Sequence, residues 1–344
     1  MLLGRTMLRN SLIVAFIISL ASSIRAAPAP EPAAPRSDRS PRRGLIHPLL
    51  DVDPNREFQE LRPFQHRMAE EIERLRKEGS LSEASYYFRD LDNGPLMGQG
   101  ENTPFKAASL LKVPVMFAVL KVAERTPGFL DQKITAQPYP DNLNQKFKPL
   151  SPVTAGREYT IRELLRIMIT GSDNAAALTL TRTLTNEQYL EVFSELGLSI
   201  PNVRDLDDPV TVREYATFFR ILYNASYLGR DPSQLALELL AAAEFKRGLA
   251  GGVPAGVTVA HKFGEAVGPD GLKQLHDCGI VYHETHPYLL CMMTRGADYE
   301  RLAGALASLS NLAYREVDAS ARRKRDLVPS PHGRQSSAAP SRDR

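Results

Sequence analysis

The chain has 344 residues, 43% apolar and 24% charged, with two Cys, no Trp and 43 basic against 40 acidic side chains. That length allows two compact units or one large one with a well-buried core, and the composition excludes a collagen, a disulfide-stapled miniprotein and a wholly disordered chain. A pI near 8.8 would suit a nucleic-acid binder, yet residues 1–43 and 321–344 each carry a net +5 against a total of +3, leaving the body between them at −7. The body is acidic, so nucleic acid is set aside as a partner.

Arg5 and Arg9 precede an apolar run, Leu12–Leu20, which is followed by Ala21, Ser22, Ser23, Ala26 and Ala27. This is the order of a secretory signal, and the run is shorter than the ~20 residues that cross a bilayer comfortably. Residues 1–26 are expected to be a signal peptide directing export to the periplasm or the exterior. An uncleaved membrane anchor is the alternative, because Arg25 sits badly for cleavage after Ala27. Residues 27–43, rich in Ala, Pro and Arg, read as a disordered linker, and 321–344 as a disordered basic tail.

Within the body, apolar spacing predicts a helix over Arg62–Lys77, stopped by Gly79. Glu83–Arg89 reads as a strand, Leu91–Gly94 as a turn with Asn93-Gly94 supplying positive φ, and Pro95–Gly98 as its partner. Thr160 with Glu163, Thr185 with Gln188 and Thr211 with Glu214 each fit a capping box, and each precedes a helical pattern: Ile161–Ile169, Asn186–Leu196 and Val212–Tyr223. Ser233–Phe245 adds a further helix. After Gly256 the period shortens, and Val257–Phe263, Gln274–Tyr282 and Tyr288–Thr294 read as strands before a closing helix over Tyr299–Val317.

This order predicts an α/β (α+β) fold. An antiparallel five-stranded sheet is built from both ends of the body, with terminal helices on one face and an inserted all-α domain on the other. The folded body then spans 44–320, divided into an α/β part (44–107 and 246–320) and an all-α part (108–245).

Three short motifs carry candidate chemistry. Ser109 and Lys112 stand three apart in Ser109-Leu110-Leu111-Lys112, so hydroxyl and amine share a helix face, and a lysine held neutral by burial could take the serine proton. Taken alone, Ser109 also reads as an ordinary helix-starting serine. Ser172-Asp173-Asn174 reads equally as an N-cap loop or as a proton relay (Ser172) with a substrate-amide partner (Asn174). In Lys262-Phe263-Gly264, Lys262 offers positive charge to an anionic substrate or to Ser172, and Gly264 lets a substrate backbone lie against the strand edge.

Together, in this order and at separations of 63 and 90 residues, the three motifs resemble those of the serine β-lactamase and penicillin-binding protein superfamily, S-x-x-K, S-D-N and K-T-G. The resemblance covers residues 45–318, and within the superfamily the chain looks most like the class A β-lactamases. It implies a β-lactamase/transpeptidase-like fold and an acyl-enzyme formed on Ser109 with Lys112 as general base or its assistant. The backbone amides of Ser109 and Glu265 would form the oxyanion hole. The implied partner is a small β-lactam or a peptidoglycan-like amide, bound by a monomer without cofactor or metal. A D,D-peptidase or esterase-like hydrolase with slow deacylation is the rival, and a non-catalytic envelope-binding protein is a third reading.

Two departures stand against efficient β-lactam hydrolysis. Class A enzymes place a water-positioning Glu about 36 residues beyond the S-D-N serine. Here Asn202–Pro209 contains no E-x-x-L-N pattern, the loop is shortened, and Asp207 or Asp208 is the substitute base on offer. Phe263 also replaces a hydroxyl residue that would bind a substrate carboxylate, a bond worth roughly 1.5 to 3 kcal/mol. Cys278 and Cys291 fall on consecutive strands, opposite each other, and are either a disulfide or two buried small residues. The seven His show no metal-ligand spacing, and His261 should face away from Lys262.

Overall fold

A computed structural model describes residues 58–139, 145–199 and 209–327. The signal, the linker, residues 328–344 and both candidate aspartates lie outside them. The elements in chain order are α1 (Arg62–Lys77), β1 (Glu83–Asp90), β2 (Leu96–Gln99), β3 (Phe105–Lys106), a 3₁₀ turn (Ala108–Leu111) and α2 (Lys112–Arg125). They continue with β4 (Lys133–Thr135), β5 (Glu158–Thr160), α3 (Ile161–Thr170), α4 (Asn174–Thr181), α5 (Asn186–Glu195), β6 (Pro209–Val210), α6 (Val212–Asn224) and α7 (Arg230–Ala241). The chain then returns through β7 (Val259–Val267), β8 (Lys273–Val281), β9 (Tyr288–Gly296) and α8 (Tyr299–Leu327).

The main sheet is antiparallel and five-stranded, in the order β2-β1-β9-β8-β7, so both ends of the body contribute and β7 is an edge. Side-chain alternation divides it cleanly. Tyr86, Phe88, Val259, Phe263, Leu275, Val281, Leu290 and Met292 bury against Phe64, Met68 and Ile72 of α1 and Leu302, Leu306 and Leu309 of α8. Their neighbours Tyr87, Ala260, Cys278, Ile280, Cys291 and Met293 bury against the all-α part. A period of two on a sheet packed on both faces produces this division. Helix α2 is buried from Val113 to Leu120 without interruption, as expected of a helix that is apolar all round. Its Pro114 falls in the first turn, where the missing N–H removes no helical bond.

All three capping boxes form, each with its Thr hydroxyl accepting from the N3 amide and the N3 side chain accepting from the Thr amide. Cys278 and Cys291 pair across β8 and β9 and are disulfide-bonded, which resolves the two sequence alternatives. His261 does face away from Lys262: its Nδ1 lies 2.8 Å from Asp277 Oδ1, while Asp277 Oδ2 accepts from the Leu249 amide at 2.7 Å.

Two boundaries differ from the sequence reading. Helix α7 begins at Arg230 and ends at Ala241 rather than spanning 233–245, because Pro232 is tolerated in its first turn and the Glu244 amide turns back to the Thr170 carbonyl at 2.9 Å. Helix α8 runs to Leu327, so residues 321–327, read as the start of the tail, are helical. Ala and Arg are good helix formers, and cations suit a helix C-terminus. The pairs β3·β6 and β4·β5 are too short to show a period in sequence. No helix among the described residues is long and apolar enough to cross a membrane.

The segment before β7 is pressed against α8. A Cβ on Gly252 would collide with the Ala307 carbonyl oxygen and would lie 2.5 Å from Ser310 Cβ and 2.7 Å from the Asn311 nitrogen. Gly252→Ala is expected to cost about 1 to 3 kcal/mol, as overpacking does, and to lower the Tm by roughly 3 to 10 °C in a thermal melt. An unchanged Tm would show that this contact yields freely.

Candidate active site

Ser109 sits in the 3₁₀ turn immediately before α2, and the turn is held from two sides. The Tyr215 hydroxyl of α6 donates to the Leu110 carbonyl at 3.0 Å. On the other side β7 closes in at Gly264, where a Cβ would lie 3.1 Å from the Leu110 nitrogen, 3.0 Å from Leu110 Cγ and 3.3 Å from the Ala107 carbonyl. The missing side chain of Gly264 therefore makes room for the serine's own turn. Ala108, directly before Ser109, has φ 48°, and Ser172 has φ 59°. Left-handed backbone at non-glycine residues is uncommon and costs about 1 to 3 kcal/mol each, and such strain collects at functional sites.

The three sequence motifs converge on Lys112. Its Nζ donates to Ser109 Oγ at 2.6 Å, to Asn174 Oδ1 at 2.6 Å and, more loosely, to Ser172 Oγ at 3.3 Å. Lys262 Nζ reaches Ser172 Oγ from the sheet side at 2.8 Å and also donates to the Phe263 carbonyl at 2.8 Å. Ser172 is wholly buried, so its hydroxyl bridges two amines out of contact with water. Asp173 builds the loop itself: Oδ1 caps α4 by accepting from the Ala176 amide at 2.7 Å, and Oδ2 accepts from Val153 at 3.2 Å. The capping and relay readings of this motif thus fall on different residues.

Burial sets the protonation. Lys112, 5% exposed, is pushed down to about 7 by desolvation, against the pull of Asp173 and Glu265. Near 10.4, a free lysine is only about 0.04% neutral at pH 7. Lys262, 1% exposed, is driven well below its ordinary value by desolvation and then by the Lys112 charge, with Asp277 and Glu265 opposing. The Lys262 amine is engaged by Ser172 and by the Phe263 carbonyl, and burial disfavours its charged form. What the arrangement can do is accept the proton of Ser109 on a neighbouring neutral amine and pass protons across Ser172.

Two further residues at the site, Gln145 and Phe147, carried no sequence signal. Gln145 Nε2 donates to the Ser172 carbonyl at 3.3 Å, and the Phe147 amide donates to Glu265 Oε1 at 3.3 Å, so the segment 145–147 joins the Ser172 loop to β7. The Phe147 ring packs 4.8 Å from Phe245, which stacks on Phe263 at 4.3 Å. The Glu265 side chain, expected to matter only through its backbone, is half-buried, and burial raises its carboxyl pKa against the opposing loop amides, Lys112 and Lys262. These contacts span 27 and 118 residues of sequence, beyond the reach of any local pattern.

Residues 67–317 match the family described as the β-lactamase enzyme family. No curated protein matches the chain. Among solved structures, PBP-A superposes with a TM-score of 0.64 at 22% identity, covering 77% of this chain and 98% of that one. A mutant of PBP-A, solved as an acyl-enzyme complex with penicillin G, gives 0.63 at 23%, over 74% and 97% of the two chains. A β-lactamase from Chitinophaga pinensis gives 0.63 at 19%, over 73% and 99%. At such identities these structures speak for the fold. The family match covers most of the body, and on that ground the chain belongs to the β-lactamase enzyme family.

Proposed function

We propose that the protein is an exported serine acyl-transfer hydrolase of the class A β-lactamase type, opening β-lactam amides through an acyl-enzyme on Ser109. The observation that carries this reading is a buried amine, held near 7, at 2.6 Å from the Ser109 hydroxyl. Ser109 Oγ attacks the carbonyl carbon as its proton passes to Lys112 Nζ, and the amides of Ser109 and Glu265 receive the developing oxyanion. The C–N bond then breaks, and the leaving nitrogen takes a proton through Ser172, which lies between both amines. Water cleaves the resulting ester, releasing the acid and restoring Ser109. Asp207 and Asp208 are the candidate bases for that step. Export is supported by the Leu12–Leu20 run and by the Cys278–Cys291 disulfide, since such bonds persist in oxidising compartments.

A second reading, a penicillin-binding D,D-peptidase or esterase-like hydrolase with slow deacylation, draws on one observation. Glu214, the first Glu after the shortened loop, is engaged elsewhere: its carboxylate accepts from the Thr211 hydroxyl at 3.0 Å and the Ser199 hydroxyl at 2.5 Å. It is not at hand to position a water.

Incubation with a fluorescent penicillin and a chromogenic cephalosporin, beside Ser109→Ala, separates these readings. Turnover abolished in Ser109→Ala identifies a β-lactamase, a stable Ser109-dependent label without turnover identifies the second reading, and neither label nor turnover overturns both. Acylation should also follow the deprotonation of Lys112. Its pKa is lowered, so the neutral base grows as pH rises through about 7, and the label should form about 30-fold more slowly at pH 5.5 than on the alkaline plateau. A flat profile from pH 5.5 to 8 would remove Lys112 as the base.

A further inference from the structure

The edge of β7 beside Ser109 is built unlike a carboxylate-binding surface. Gly264 touches the turn that carries Ser109, so the next residue on the strand, Glu265, stands beside the nucleophile, and an acyl donor seated on Ser109 runs along Phe263 and Glu265. Three features there oppose an anion. The Lys262 amine is 1% exposed and already donates to Ser172 and to the Phe263 carbonyl. Phe263 has no hydroxyl, and its ring lies 4.4 Å from the Lys262 nitrogen, continuing into Phe245 and Phe147. Glu265 brings a carboxylate of its own, which has no ion-pair partner among the described residues and would repel a second one.

The same place holds two acceptors in want of donors. Glu265 Oε2 and Gln145 Oε1 are both buried without a hydrogen-bond partner, although the opposite atom of each group is engaged, by Phe147 and with Ser172 respectively. Buried oxygens left unsatisfied are destabilising, and two such oxygens, one on the segment that contacts the Ser172 loop and one on β7, are what a ligand with N–H groups would complete.

We propose that the acyl donor turned over by this site carries an N–H donor, an ammonium or a primary or secondary amide, in the position where penicillins and cephalosporins carry a carboxylate, and that Glu265 and Gln145 are the residues that select it. This rests on Ser109 acting as an acylated nucleophile. The site is then a serine acyl-transfer site for neutral or cationic amides.

The test uses one β-lactam in three charge states: penicillin G, its carboxamide, and its 2-aminoethyl amide. Ring opening of each compound and mass gain on the intact full chain are both followed over time, with Ser109→Ala as the control for reaction at that residue. The two amides are expected to acylate Ser109 at least about tenfold faster than the acid, as befits a hydrogen bond to a charged group gained rather than a charge repelled. Glu265→Gln should remove most of the advantage of the ammonium compound over the acid, and Gln145→Leu should slow both amides while sparing the acid. Either variant alone suffices if the other fails to fold. Ser109-dependent labelling that is fastest with the acid, or a substrate order unmoved by both variants, overturns this proposal and leaves the hydrolase reading intact. The absence of both Ser109 labelling and Ser109-dependent ring opening with all three compounds overturns the proposal together with the reading beneath it.

Discussion

Two lysine amines are buried where the all-α part meets the edge of the sheet, and the rest of the structure serves that burial. Taking an ammonium out of water costs several kcal/mol unless a full charge partner is supplied. Here neither lysine has a carboxylate at hydrogen-bonding distance among the described residues: Lys112 and Lys262 meet hydroxyls, an amide oxygen and a backbone carbonyl. Those partners satisfy N–H groups without restoring the charge, so the proton becomes the expendable element. A base is thereby made from a side chain that in water would be fully protonated.

Keeping water out requires a close fit, and the fit explains features that look unrelated. Helix α2 begins at Lys112 and is buried without interruption to Leu120, which seals that amine at the base of the all-α core. Gly264 allows β7 to meet the Ser109 turn, and Tyr215 holds the same turn from behind. The buried His261–Asp277 pair fastens β7 to β8 on the far face, while the Cys278–Cys291 disulfide ties β8 to β9 on the near one. The left-handed backbone at Ala108 and Ser172 is strain that this surrounding packing sustains, and it occurs at two residues that aim the reacting groups.

The same seam gives the site its chemical character toward substrates. Two buried lysines whose charged forms desolvation disfavours, an aromatic side chain at position 263 and a half-buried acid at 265 lie together within a body that is acidic overall. The departures from the superfamily pattern, which in sequence look like losses, form one consistent environment in space. Phe263 is held in an aromatic cluster with Phe245 and Phe147, and Glu265 is held by the loop that also contacts Ser172.

Much of this architecture was legible in the chain before any coordinates. Capping boxes act over three residues and strand alternation over two, so Thr160, Thr185 and Thr211 marked real helix starts, and the order of elements foretold the sheet. Ser109, Lys112, Ser172, Asn174 and Lys262 were legible as a set because their spacing matched a known pattern. The helical extension over 321–327 was hidden by its basic composition, which a helix end and a solvated tail share. The lowered pKa of Lys262, the pressing of Gly264 against Leu110, and the unpartnered oxygens of Gln145 and Glu265 were not legible at all. Each depends on desolvation or contact by residues far away in sequence, and desolvation belongs to the packed chain, whereas capping and periodicity belong to neighbours along it.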